Sequence, residues 1–148
     1  MGIDVDITTP IRADPEVIWG LLEDPSTWSD WWRGCVTAQT SDGRSLREGS
    51  KLELVLQPKF QKFTFRPVVD LLTENKTLSL TQRSMTLQST TVWYLAEKPD
   101  RTLVNVQTVF NGLLPFAMSI LQQRRTVQMS LKANLQGLRR AAERKVFD

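Results

Sequence analysis

Residues 2–9 set Ile3, Val5 and Ile7 against Asp4, Asp6 and Thr8, the period of a half-buried strand, and Pro10 is expected to end it. Asp14 offers an N-cap and Pro15 suits a first helical position. Val17, Ile18, Leu21 and Leu22 then supply an apolar helix face that runs to about Glu23. Asp24-Pro25-Ser26 interrupts the chain and opens a second short helix or turn carrying Trp28, Trp31 and Trp32. Beyond Gly34 the pattern predicts strands near 33–41, 50–57, 60–72, 77–83, 87–97 and 101–111. Their separators are turn-rich, as in Ser41-Asp42-Gly43, Gln57-Pro58-Lys59, Glu74-Asn75-Lys76 and Lys98-Pro99-Asp100. Leu52, Leu54 and Leu56 share one face, Phe63, Phe65, Val69 and Leu71 another, and Val104, Val106, Thr108 and Phe110 a third. Each stands opposite a more polar face, as when one side of an antiparallel sheet covers a core.

Asn111-Gly112 stops the last strand, and Pro115 begins a helix that lasts to about Arg144. At 1.5 Å per residue this helix is roughly 45 Å long. Phe116, Ile120, Val127, Leu131, Leu135, Leu138 and Ala142 form its apolar stripe, which turns polar for about one turn near Gln123 and Arg124. The expected fold class is α+β: a curved antiparallel sheet of about seven strands around a long C-terminal helix, with two short helices between strands 1 and 2. A helix and a curved sheet do not close tightly along their whole length, so a space between them is expected. Ligand sites favour apolar concavities of this kind.

Composition narrows the picture. The 148 residues are expected to form a single domain, 1–148, able to bury a core without disulfides. Cys35 is the only cysteine, which points to a reducing compartment. The start MGIDVDITTP lacks the basic and apolar regions of a signal peptide, and no apolar run is long enough to span a bilayer, so a cytoplasmic protein without membrane insertion is expected. The net charge of +3 is uneven, with an acidic first thirty residues and a basic C-terminal segment. Those basic residues are spread around a helix, with no stacking aromatics between them and no Gly-rich phosphate loop, so no nucleic-acid partner is expected. There is no histidine, which removes the commonest general base, the Ser-His and Cys-His pairs and every His-containing metal site. No cofactor is expected.

Three stretches carry a resemblance to a known family: IRADPEVIWGLLEDPSTWSDWW, FRPVVDLLTENKTLSL and FNGLLPFAMSILQQRRTVQMSLKANLQGLRRAAE. In the first, Pro-x-x-Val-Trp is followed by Asp-Pro and by an aromatic three residues before Trp, positions filled here by Trp28 and Trp31. Together they resemble the START/Bet v 1-like superfamily (SRPBCC), in particular its polyketide cyclase/dehydrase and lipid transport branch. The resemblance covers nearly the whole chain and implies a helix-grip fold. Members bind lipids, sterols, polyketides or plant hormones, and some act as cyclases or cochaperones, so fold does not fix function. Many relatives have a Gly-rich turn before the sixth strand and a histidine two positions before its aromatic. Here the turn is Arg83-Ser84-Met85-Thr86 and the residue before Trp93 by two is Thr91, so the resemblance does not extend to an activity that needs that histidine.

Alternation gives the inward set Leu52, Leu54, Phe63, Phe65, Leu78, Leu80, Thr91, Trp93, Val106, Thr108 and Phe110. The candidate ligand-binding residues are Trp31, Leu54, Phe63, Phe65, Leu80, Thr91, Trp93, Val106, Thr108, Phe110, Phe116, Ile120, Gln123 and Arg124. Trp31 is expected on the cavity wall and Trp32 at the surface or an entrance. The inward strand positions contain no carboxylate and no lysine: Glu53 and Asp70 fall out of phase with their apolar neighbours, and Tyr94 is out of phase with Trp93. Arg124, near the inward stripe, suits an anionic ligand head and is a poor acid or base because it stays protonated. Cys35, lacking an imidazole partner, reads as a small buried or edge residue. Burying roughly 300 Å² of ligand apolar surface supplies roughly 7 kcal/mol before ordering and association costs. The expected function is therefore binding of a hydrophobic or amphipathic small molecule, as carrier, sensor or sequestering protein. A cyclase- or aromatase-like enzyme using Arg124, Gln123 or Thr108 to polarise a carbonyl is one alternative, and a cochaperone-like interaction module is another. Oligomeric state is not legible.

Overall fold

The structure is a computed structural model that describes residues 2–57, 59–84, 87–112 and 120–147. Strand β1 (Gly2–Ile11) leads into helix α1 (Pro15–Leu22), a 3-10 turn (Pro25–Thr27) and helix α2 (Trp28–Trp31). Strands β2 (Cys35–Thr40), β3 (Leu52–Leu56), β4 (Phe63–Phe65), β5 (Val68–Thr73), β6 (Thr77–Arg83), β7 (Leu87–Glu97) and β8 (Thr102–Gly112) follow, and helix α3 (Ile120–Phe147) closes the described chain. The strands form a five-stranded sheet in the order β1-β8-β7-β6-β5 and a three-stranded sheet in the order β2-β3-β4, with every named pairing antiparallel. The fold is α+β and of helix-grip type, with the two short helices between β1 and β2.

Local chemistry explains most boundaries. β1 continues one residue past Pro10, because β1 lies at the end of its sheet, where a residue without an N–H costs no ladder bond. The Asp14 carbonyl accepts from the Val17 amide at 3.0 Å and Pro15 opens α1, whose Ile18, Trp19, Leu21 and Leu22 are buried. The Asp24 carboxylate accepts from the Ser26 amide at 3.1 Å and the Ser26 hydroxyl at 2.7 Å, which starts the turn into α2. In α2, Trp28 is fully buried and its indole N–H donates to the Leu22 carbonyl.

The stretch expected as one strand over 60–72 is two strands in different sheets. Pro67 has no amide to give a ladder and restricts Arg66 before it, so the chain breaks between β4 and β5. The Leu52 amide donates to the Pro67 carbonyl at 2.9 Å, and the Val69 amide to the Ser50 carbonyl at 2.9 Å, which ties the two sheets together. A bulge between Val69 and Leu71 then reverses the side-chain phase of β5. Val69 pairs with inward Leu80, whereas Leu71 pairs with Ser79 and Leu72 with inward Leu78. Leu71, expected to share a face with Val69, is therefore 43% exposed, and Leu72 packs on the core in its place.

Helix α3 lies against β1 and β8. Its buried stripe is Gln123, Leu131, Asn134, Leu135, Leu138 and Ala142, with Val127 half-buried. At the end of α2, the backbone of Trp31 lies so close to Gly137 that a β-carbon there would fall 1.9 Å from the Trp31 carbonyl oxygen. Glycine is unfavourable inside a helix, and this close approach accounts for it. The expected helix start at Pro115, and with it Phe116, lies outside the described residues.

Candidate functional site

The register lines up the inner face of the five-stranded sheet in transverse rows. Ile7, Val106, Trp93 and Leu78 make one row across β1, β8, β7 and β6. Val5, Thr108, Thr91, Leu80 and Val69 make the next, and Ile3, Phe110, Ser89 and Gln82 the one after. The inward strand set read from alternation thus stands together on one face, with Leu54 paired to Phe65 and Leu56 to Phe63 on the three-stranded sheet.

Burial divides this face. On the β1–β8 side, beneath α3, Ile3, Val5, Val106, Thr108 and Phe110 are buried. Away from the helix, Leu56, Phe63, Phe65, Gln82, Ser89 and Thr91 are only half-buried, although the same alternation turns them inward. Trp32 belongs to this half-buried set, and its ring meets Trp93 edge-on with centroids 5.6 Å apart. The Phe63 and Phe65 rings lie 6.5 Å apart. These half-buried residues border the buried Leu54, Leu78, Leu80 and Trp93 on the same strands, so the inner face of β3, β4, β6 and β7 is largely apolar and only partly covered among the described residues.

Polar groups on this face are few and mostly committed to one another. The Thr91 and Thr108 hydroxyls are bonded at 2.9 Å in the middle of an apolar row. The Gln82 side-chain oxygen accepts from the Arg66 amide at 2.8 Å, which stitches β6 to the β4–β5 junction. The Trp93 indole N–H donates to the Asn134 side-chain oxygen at 3.2 Å, joining β7 to α3 in the buried interior. A buried indole N–H needs such an acceptor, and Asn134 on an otherwise apolar stripe supplies it.

Several candidates stand elsewhere than expected. Arg124 is exposed and donates to the Asp4 carbonyl at 3.3 Å, fastening the start of α3 to the edge strand; it does not join the inward stripe. Gln123, one residue earlier, is the inward polar group at 6% exposure. One step along a helix turns a side chain by about 100°, enough to move it from inside to outside. Trp31 is buried against α3 and donates to the Thr27 hydroxyl at 3.2 Å, while Trp32, expected at the surface or an entrance, faces Trp93. Ile120 begins the described helix, and Phe116 falls outside the described residues. Sequence reasoning missed Asn134 and Leu72. Asn134 had a readable signal, since it sits three residues after Leu131 and four before Leu138.

Among the described residues, acids and bases stay off the inner face. Glu53 pairs with Arg66 on the outer side at 3.6 Å. Burial alone would raise the Asp70 carboxyl, but the Ser79 and Thr81 hydroxyls bonded to it hold it below the ordinary carboxylate range. Cys35 is buried at the start of β2, and burial pushes its thiol from 9.0 up to about 11. It is therefore protonated at neutral pH and a poor nucleophile. Because the folded state holds this proton more tightly than the unfolded chain, its contribution to stability is complete below pH 9 and is lost as pH rises toward 11. Cys35→Ala is expected to flatten the alkaline limb of the stability–pH profile between these values, as read by urea denaturation at a series of pH values.

The described residues contain no helix long and apolar enough to cross a membrane. Over 95% of its length the chain is similar to a START superfamily protein from Mycobacterium smegmatis, at 19% identity, 97% coverage of that chain and a TM-score of 0.76. It is also similar to the Zhui aromatase/cyclase from a Streptomyces species, at 15% identity, 99% and 96% coverage and a TM-score of 0.80. It aligns with about half of the di-domain aromatase/cyclase StfQ of the steffimycin biosynthetic pathway, covering 99% of this chain and 52% of that one at 12% identity and a TM-score of 0.80. No curated protein sequence matches the chain. The profile of one family, described as polyketide cyclase / dehydrase and lipid transport, matches residues 2–143. With the match spanning nearly all of the sequence and the helix-grip fold in agreement, the chain belongs to the polyketide cyclase/dehydrase and lipid transport family.

Proposed function

We propose that the protein binds a hydrophobic or amphipathic small molecule between α3 and the half-buried part of the inner face, as a carrier, sensor or sequestering protein. The observation that carries this reading is the half-buried inner surface of Leu56, Phe63, Phe65, Thr91 and Trp32, which a ligand would complete. The Thr91–Thr108 hydroxyl pair supports it further, because one of the two can turn to a ligand oxygen while keeping the other as partner.

Titration with fatty acids, sterols and aromatic polyketides, followed by tryptophan fluorescence, tests the proposal. Saturable binding is expected, with the signal change reduced in Trp32→Phe; no saturable response to any of these ligand classes overturns the reading. The double variant Thr91→Val/Thr108→Val is expected to stay close to wild type in stability, since both hydrogen-bonding partners leave together. Its affinity for an oxygen-bearing ligand is expected to fall about five- to tenfold, the worth of roughly one hydrogen bond.

The enzyme alternative is weaker. Of its three polarising candidates, Arg124 is engaged on the outside with the Asp4 carbonyl, and Gln123 and Thr108, which are buried, are neutral. An interaction module would present an apolar outer surface. Here the outer face carries Asn105 and Gln107 bonded to Asp6, and Thr81 bonded to Asp70. The exposed Val109 and Tyr94 have polar cross-strand neighbours, Asp4 and Thr90 for the first, Thr77 and Asn105 for the second.

A further inference from the structure

Four arginines have carboxylate partners: Arg47 with Asp42, Arg66 with Glu53, Arg101 with Asp100 and Arg139 with Glu143. Arg33, Arg140 and Arg144 have no ion pair among the described residues, yet all three line one groove of about 290 Å³. The groove runs between the α2–β2 connection and the outer side of α3, with Gly137 and Ala141 among the residues that line it. Arg140 and Arg144 are neighbours four residues apart on α3, a like-charge arrangement that is unfavourable without a counter-charge. The negative end of the α3 dipole accounts for Arg144 but not for Arg33, which comes from a different element. Asp30 is the single acidic residue among those that line the groove.

We propose that this groove is a binding site for a phosphoryl group, carried by a soluble phosphorylated small molecule or by a lipid headgroup. Guanidinium groups offer planar forks of donors that match phosphate oxygens, and three of them around one groove suit a group with several oxygens and more than one charge. The volume admits a phosphoryl or pyrophosphoryl group with a small attachment. Trp31 and Trp32 line the groove as well, and Trp32 reaches Trp93 in the interior, so occupancy has an optical reporter.

Inorganic pyrophosphate titrated into the full chain, by calorimetry and tryptophan fluorescence, is the direct test. Saturable binding that weakens with added salt is expected. It should fall at least about tenfold in Arg33→Gln/Arg140→Gln/Arg144→Gln, given the strength of charge-assisted contacts. A control with the same loss of charge elsewhere, Arg44→Gln/Arg83→Gln/Arg125→Gln, should bind within about twofold of wild type if position and not net charge decides. Equal losses in the two triple variants, or no saturable binding by the wild type, overturn the site. Arg33→Gln alone, outside the helices, gives the same reading free of any effect on α3. Co-sedimentation with phosphatidylcholine vesicles, with and without phosphatidic acid, separates the sources: dependence on phosphatidic acid that the groove variant abolishes assigns the headgroup, and pyrophosphate binding without it assigns the soluble ligand. Pyrophosphate has no apolar surface, so this result is independent of whether the interior takes a hydrophobic molecule.

Discussion

Gly137→Ala is expected to destabilise the protein by about 2–3 kcal/mol, although alanine is the better helix former by about 1 kcal/mol. The added methyl would stand 1.9 Å from the Trp31 carbonyl oxygen and 2.9 Å from its carbon, and both are backbone atoms that no rotamer change can move. Either α2 lifts from α3 or the helix shifts beneath it, and both loosen Trp28 and Trp31 in the core. Thermal melting followed by circular dichroism should show a Tm lower by roughly 6–10 °C for a chain of this size. Gly20 makes a strict comparison, since it also lies within a helix, α1, but a β-carbon there meets nothing within 4 Å. Gly20→Ala should raise stability by about 0.5–1 kcal/mol. Opposite signs for one chemical change isolate the helix contact as the cause.

The second large effect concerns the buried bond between Trp93 and Asn134. Trp93→Ala removes a ring that is 1% exposed on β7, the central strand of the five-stranded sheet, and should cost about 3–5 kcal/mol. The bond itself is better read with smaller changes. Trp93→Phe leaves the Asn134 oxygen buried without its donor, and Asn134→Leu leaves the indole N–H without its acceptor. Each should cost about 1–3 kcal/mol. The double variant should cost less than the sum of the two, because no orphaned partner then remains. Urea denaturation of the four proteins supplies the cycle, and strict additivity would show that the two groups do not depend on each other.

Element order and the inward alternation were legible because both rest on periodicity, which Ile3-Val5-Ile7 and Leu52-Leu54-Leu56 display without interruption. The outward turn of Leu71 was not. A bulge adds one residue to a strand and leaves no composition mark, so every side chain beyond Val69 changes face without warning. Gln123 and Arg124 were both candidates and only Gln123 turns inward, for a different reason: the stripe is interrupted there, and without flanking apolar residues the helix phase is undetermined by one position. In α2, the pairing of Trp28 with Trp31 followed from their spacing, with ring centroids 6.3 Å apart. The role of Trp32 depends on the strand it meets, which no local pattern encodes. Asn134 was the one readable omission, a polar residue at a core position that marks a buried partner.

The pairing of β1 with β8 joins positions roughly 90–110 residues apart, from Ile11 with Thr102 to Gly2 with Asn111. Strands β5 to β8 fold back on one another as successive hairpins, but the first strand must wait for the last. During synthesis, at about 5–20 residues per second, β1 therefore spends roughly 5–20 s without its partner. Loop closure of this length makes the joining of β1 to β8 a late and slow event, and it leaves the aspartates of the first strand to keep an unpaired apolar segment in solution until then.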